Sequence, residues 1–401
     1  MLEKIASGSW IARDRVVAYT ALLLVGYVGG IVWMLATSAG LADAWGRPLG
    51  TDFSNVWSAG QLALTGLPEA VYDWPRHHAE QKLIFGDPAV PFFGWHYPPF
   101  FLLVAAGLAT LPYLSALALW QGATLSAYLL AIHRIVPGRA IVLPALAFPA
   151  VLVNLLHGQN GFLTAALLGG GLCLLPGRAV AAGMLLGLLA YKPHLGLMVP
   201  LALAAGGYWR AFIAAAVTVV TVAMLSLAVF GETSWLAFLD SLTLTRTQVL
   251  EAGSTGWQKI QSVFSQARML GAPIALAYAV QGAVALVCAG AVVWLWRSRA
   301  FYPLKAAGLI AASLLATPYQ LDYDLMVLGP AIAFMAAHGT AAGFARYGKS
   351  LLAAVWFTPL VTRGVAELIP LSLGVVATGA LLAMILARAG TGAPPHEAPT
   401  S

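Results

Sequence analysis

Apolar residues in this chain come in long blocks separated by short polar turns, not in the two-residue alternation of a half-buried strand. A helix needs roughly 20 apolar residues to cross about 30 Å of hydrocarbon. The blocks at 16–38, 211–230, 273–297 and 303–317 reach or approach that length, and two more follow residue 324. The pattern predicts an all-α polytopic membrane protein. A β-barrel would instead show alternating segments of about ten residues.

Three regions depart from simple spans. The apolar stretch 140–176 is interrupted by Leu156-His157-Gly158-Gln159-Asn160-Gly161, and 179–207 by Tyr191-Lys192-Pro193-His194. Both read as hairpins. The arms of the second are short for full spans at 1.5 Å per residue, which places Lys192 below the interface. Residues 97–134 must cross once yet have length for two passes. A tilted or re-entrant piece at 97–111, ending at Leu111-Pro112, accounts for the surplus. The total is roughly 11–13 spans at the helical rise.

Polar segments fill two larger loops, about 39–96 and 231–270. The first predicts two short interfacial helices. One covers Ser54 to Thr65 and stops at Gly66, a good C-cap. The other covers Pro75 to Phe85 with proline in its opening turn. Residues 1–388 read as one membrane domain, and the Pro/Gly-rich stretch 389–401 as a disordered tail.

Composition agrees: 60% hydrophobic, 9% charged, mean hydropathy +0.83. The net charge of +6 is distributed by side and gives no nucleic-acid signature. Lys4, Arg13, Arg15, Arg134, Arg139, Arg178, Arg210, Arg297, Arg299, Lys305, Arg346, Lys349 and Arg388 all fall at turns of one parity. Asp43, Asp52, Glu69, Asp73, Glu80, Asp87, Glu232, Asp240 and Glu251 fall at the other. The positive-inside rule then puts both termini in the cytoplasm and both larger loops outside, in a plasma (inner) membrane. Cys173 and Cys288 lie inside apolar blocks and read as small buried residues.

That polarity gathers the polar clusters on the outer side: Asp52, His96-Tyr97, Gln159-Asn160, Lys192-His194 and Asp322-Tyr323-Asp324. Carboxylates and cations near the bilayer are expensive and often functional. Each also has a plainer reading. Asp52, ahead of an apolar-periodic segment, suits a helix N-cap. Gln159 and Asn160 suit helix packing. Asp322 and Asp324 suit a cap, and His157 and His194 suit hydrogen-bonded turns. Arg363 and Glu367 mark the turn between the last two spans. Broken helices with polar apices also occur in transporters, so a transporter or a lipid-handling protein without glycosyl transfer is the alternative class.

The order of motifs resembles glycosyltransferase family 87, over about residues 50 to 330. The motifs are Asp52-Phe53 before Trp57-Ser58-Ala59-Gly60, Gly66 to Tyr72-Asp73, and Tyr97-Pro98-Pro99 leading to Leu111-Pro112. Gly158-Gln159, Gly177-Arg178, Lys192-Pro193, Trp209-Arg210 and Thr317-Pro318 before Tyr323-Asp324-Leu325 follow in order. Thr317 stands where the family often has Ser, and 320–324 lacks the family's His. The resemblance implies a GT-C-type bundle and a hexosyltransferase working at the extracytoplasmic face. Its donor would be a polyprenyl-phosphate-linked sugar, with mannose a candidate, and its acceptor a lipid or glycan hydroxyl in contact with membrane lipids. It calls for no cofactor and no metal. Asp52 is the expected general base for inversion. Lys192 is the first choice to hold the donor phosphate, with Lys259 and Arg268 next. Tyr97, Gln159, Asn160, His194, Asp322, Tyr323 and Asp324 are the expected substrate-binding residues.

Overall fold

The computed structural model describes residues 2–391. Residues 392–401 of the predicted tail at 389–401 lie outside the described residues. Among those described, regular structure is helical, with isolated β-bridges and no strand. The chain is an all-α polytopic membrane protein. Seven helices are long and apolar enough to cross a membrane, and a pair bent by 55°, Arg139–Leu146 with Pro149–His157, has together the length and composition of a broken span or a re-entrant loop. Shorter apolar helices lie at Pro99–Ala109, Gly161–Leu174, Ala179–Tyr191, Pro193–Ala205 and Tyr302–Ala316. Seven to eight helices of spanning length are fewer than the roughly 11–13 expected at the helical rise, the difference lying in apolar helices too short to qualify.

The helices that position the site are α1 (Arg13–Ala36), α2 (Phe53–Leu64), α3 (Trp74–Phe85), α4 (Leu102–Ala109), α5 (Tyr113–Ile135), α6 (Pro149–His157), α7 (Gly161–Leu174), α8 (Ala179–Leu188), α9 (Trp209–Leu244), α10 (Ile274–Arg297), α11 (Tyr302–Ala316), α12 (Leu328–Ala342), α13 (Gly348–Leu368) and α14 (Leu373–Gly390). α14 runs through Gly390, so helix persists past the expected boundary at 389.

Both predicted loop helices form. Asp73 caps α3 by accepting from the Arg76 N–H at 3.1 Å, Pro75 sits in the first turn, and Gly86 ends the helix in the left-handed region. Most of α2 is buried, including Phe53, Val56, Ala59 and Leu62. The surplus length in 97–134 becomes α4. It packs on α2, where a side chain at Gly60 would collide with the main chain of Ala105. α5 then makes the single crossing.

Close packing deeper in the bundle uses small residues, as membrane helix contacts do. A side chain at Gly183 or Gly187 of α8 would run into the main chain of Ala211 or Ala215 on α9. α9 is broken at Gly231 (φ 74°), the residue at which the second outer loop is expected to begin. The second outer segment is more ordered than a loop. It continues as helix to Leu244 and a wider turn over Thr245–Glu251. Phe238 of this piece leans on Tyr72 of the first outer loop, and Trp235 on Phe100 just beyond that loop.

Candidate functional site

The ends of α6, α8, α11 and α13 and the starts of α2, α7 and α12 surround one cavity of about 570 Å³. That size suits a small-molecule site, for which roughly 300–1,000 Å³ is usual. The loop 91–98 closes one side, and Phe238, Leu242 and Thr245 form part of the wall beyond the Gly231 break.

Asp52 stands at the entry to α2, yet its side chain makes no capping hydrogen bond. The plainer reading of Asp52 as an N-cap therefore fails on geometry. Its Oδ2 accepts from Gln159 Nε2 at 2.9 Å, and His157 Nδ1 lies 3.8 Å away. The His157 nitrogen is 2.7 Å from Thr51 Oγ1. The turn carrying these residues must approach α2 closely. Gly158 permits this: it is left-handed (φ 61°), and a Cβ there would press on Phe53 and the Gly50 carbonyl. Tyr113 of α5 fixes the preceding turn by donating to the Leu49 carbonyl at 2.7 Å.

Gln159 is held in turn, its Oε1 accepting from the Asn160 N–H at 3.1 Å. Asn160 itself is buried behind the lining and donates to Tyr97 Oη at 2.7 Å. It thus orients Tyr97, which does line the cavity. His194 lines it too, with its ring against Tyr319 and its Nε2 buried and unpaired. His96 lies 3.0 Å from Thr245 Oγ1, and burial lowers its pKa to about 4, so it is a neutral ring.

The carboxylates of the polar turn 317–324, Asp322 and Asp324, are both ion-paired. Asp324 Oδ1 accepts from Lys192 Nζ at 2.6 Å, while Oδ2 accepts the Leu321 N–H at 3.0 Å. Asp322 Oδ2 meets Arg363 at 2.5 Å. Lys192 also sits over the Tyr323 ring at 5.0 Å. Lys192 and Asp324 are 4% and 1% exposed, which makes this a buried pair.

Lys192 therefore lines the cavity with its charge already matched by Asp324. Lys259 lines the same cavity, and among the described residues no carboxylate lies within ion-pair distance of it. Its loop is pinned to the turn 317–324. The Gln261 N–H donates to the Gln320 carbonyl at 2.9 Å, and Ile260 bridges Leu321. Arg268 corrects the expectation: it lies outside the lining, stacked over Trp257 at 4.8 Å and donating to the Ala272 carbonyl. It braces the second loop.

Sequence reasoning thus brought Asp52, Tyr97, Gln159, Lys192, His194, Lys259 and Asp322-Tyr323-Asp324 to one cavity, with Asn160 just behind. It gave no site role to Thr51, His157 or Arg363. Their signal was parity alone: each sits at a turn on the same side as the others.

Fold and site together define a polytopic membrane protein with a polar, charge-lined cavity at one end of its helices. The family model for glycosyltransferase family 87 matches residues 95–318, more than half of the chain, and the chain belongs to that family. It is a membrane glycosyltransferase. The match includes Tyr97, Gln159, Lys192, His194 and Lys259, while Asp52, Asp322 to Asp324 and Arg363 lie beyond it. No curated protein and no solved structure matches the chain.

Proposed function

We propose that this cavity moves a hexose from a polyprenyl-phosphate donor to an acceptor hydroxyl on a lipid or glycan, with inversion and with Asp52 as the general base. One observation carries the assignment. Of the three carboxylates lining the cavity, Asp322 and Asp324 are held by Arg363 and Lys192, and Asp52 has no Lys or Arg partner. A carboxylate pinned by a cation is a poor proton acceptor. Asp52, 25% exposed and steadied by one amide, is open to an incoming hydroxyl.

The acceptor oxygen attacks the anomeric carbon on the face opposite the phosphate. Asp52 takes the hydroxyl proton as the new C–O bond forms, and the electron pair of the breaking bond leaves with polyprenyl phosphate. The oxocarbenium-like character of such a centre is shared with glycosidases. Lys259 is the cation best suited to balance the charge growing on the phosphate. Tyr97, Gln159, His194 and Tyr323 offer hydrogen-bonding groups for sugar hydroxyls, and mannose is the sugar to test first. The family and the fold support a GT-C-type bundle in a plasma (inner) membrane. The basic residues at the helix ends opposite the cavity support an extracytoplasmic site with both termini inside.

Asp52→Asn is the test. Asn keeps the size and the hydrogen bond to Gln159 remains possible through its oxygen. Transfer from a radiolabelled polyprenyl-phosphate mannose should fall by about two to four decades, the usual worth of a general base. Donor binding and melting temperature should persist. A folded variant with near-normal turnover would remove Asp52 from the mechanism. Lys259→Gln should weaken donor use by roughly one to two decades, the loss of one charge-assisted contact.

A further inference from the structure

A second cavity lies at the opposite end of the bundle, in the crevice between α1 and the pair α12 and α13, with about 520 Å³ of space. Its lining is almost wholly apolar, with Leu352 and Ala353 among its wall residues. Trp10, Tyr19 and Trp356 are there as well. Two cations complete it: Arg15 at the start of α1 and Lys349 at the start of α13. No Asp or Glu lines it, and among the described residues neither cation is ion-paired. Arg15 is exposed and Lys349 half-buried.

We propose that this crevice binds one anionic phospholipid of the adjoining leaflet, its phosphate between Arg15 and Lys349 and an acyl chain in the apolar slot between α1 and α13. Charge complementarity selects the occupant. A lipid without net charge would gain nothing from the two cations, and a protein partner would need to thread a lipid-facing gap. Basic pockets between membrane helices recognise anionic head groups on this principle. Tryptophan and tyrosine at the mouth suit head-group depth. The slot is open space between the helices: of the α1 residues that line it, Tyr19 is exposed and Val16 and Leu23 are half-buried. The bound lipid would act as the missing packing partner of α1.

The test is native mass spectrometry of delipidated protein titrated with phosphatidylglycerol or phosphatidylcholine. Wild type should retain phosphatidylglycerol at least about tenfold more strongly, since each basic residue near a surface contributes about 1 kcal/mol toward anionic lipid and 1.4 kcal/mol is tenfold. Arg15→Gln with Lys349→Gln should abolish that preference. Arg297→Gln with Arg299→Gln, the same charge loss at another helix end, should leave it intact. Ala353→Phe, which fills the slot and keeps both charges, should lower retention of either lipid. Equal retention of the two lipids by wild type overturns the proposal, as does equal loss in the 297/299 control. None of these readouts depends on glycosyl transfer.

Discussion

Lys192 and Asp324 are 132 residues apart in sequence and 2.6 Å apart in the fold. Removing one member strands the other charge in the interior, at a cost of about 3–5 kcal/mol. Lys192→Met should therefore lower the melting temperature. Adding Asp324→Asn, which keeps an acceptor for the Leu321 N–H, should recover most of the loss. A single variant that melts normally but loses donor affinity would return Lys192 to the phosphate. The sequence exposed Lys192 as a cation breaking an apolar hairpin, and Asp52 as a carboxylate just past a span. It could not expose their partners. Whether a buried charge is free or matched depends on a side chain from another helix, and no local pattern encodes that. Asp324 and Arg363 each had a plausible local role, so nothing in their neighbourhoods asked for a distant one.

Helix α8 depends on its glycines for a different reason than turns do. Gly→Ala in a helix ordinarily stabilises by about 0.5–1 kcal/mol. At Gly187 the added methyl meets the α9 main chain, so overpacking of about 1–3 kcal/mol should dominate. Gly379 of α14 faces open space. Thermal melts of Gly187→Ala and Gly379→Ala should move in opposite directions. The first outer loop carries a pH dependence of its own. His77 of α3 is buried with Nε2 2.8 Å from Ser58 Oγ, and burial is the main cause lowering its pKa to about 3. The unfolded loop binds that proton near pH 6.5. Between about 6.5 and 3 the unfolded form holds more protons, so loop stability is intact above 6.5 and drains away as pH falls. Hydrogen exchange over residues 53–96, corrected for intrinsic rates, should rise at pH 5 relative to pH 7.5, and His77→Gln should reduce the difference. Element boundaries were legible where chemistry marks them, at Gly231, Pro75 and Gly86. The helix beyond Gly231 was not, because Glu232, Asp240 and Arg246 give it the polarity of a loop while packing on Tyr72 and Phe100 holds it helical.

The whole molecule has two chemically distinct ends. Asp52, Lys259 and Asp322 mark one, and Arg15, Arg178, Arg297 and Lys349 the other. In a background without Cys173 and Cys288, cysteine at the exposed positions Ala89 and Ala342 should label from outside and inside respectively with a membrane-impermeant reagent. Same-side labelling would overturn the outward-facing site. This polarity was the most readable large-scale property, since it needs only charge and parity. The gap beside α1 was not readable, because helix hydrophobicity looks the same whether lipid or protein covers it. The contacts that close that region join the extremes of the chain. Trp10 donates to Ser350 at 2.8 Å across 340 residues, and the Tyr347 N–H donates to the Ala6 carbonyl at 2.7 Å. At about 5–20 residues per second of synthesis, the amino-terminal segment waits roughly 20–70 s for its partners to be made. Through most of that time α1 stands in the bilayer with this docking surface bare. Docking of the amino-terminal segment is thus timed by the last third of the chain: a ribosome that stalls before α13 leaves Ala6 and Trp10 without partners, while α1 already has residues 142–147 to pack on, Tyr27 donating to the Ala147 carbonyl at 3.1 Å.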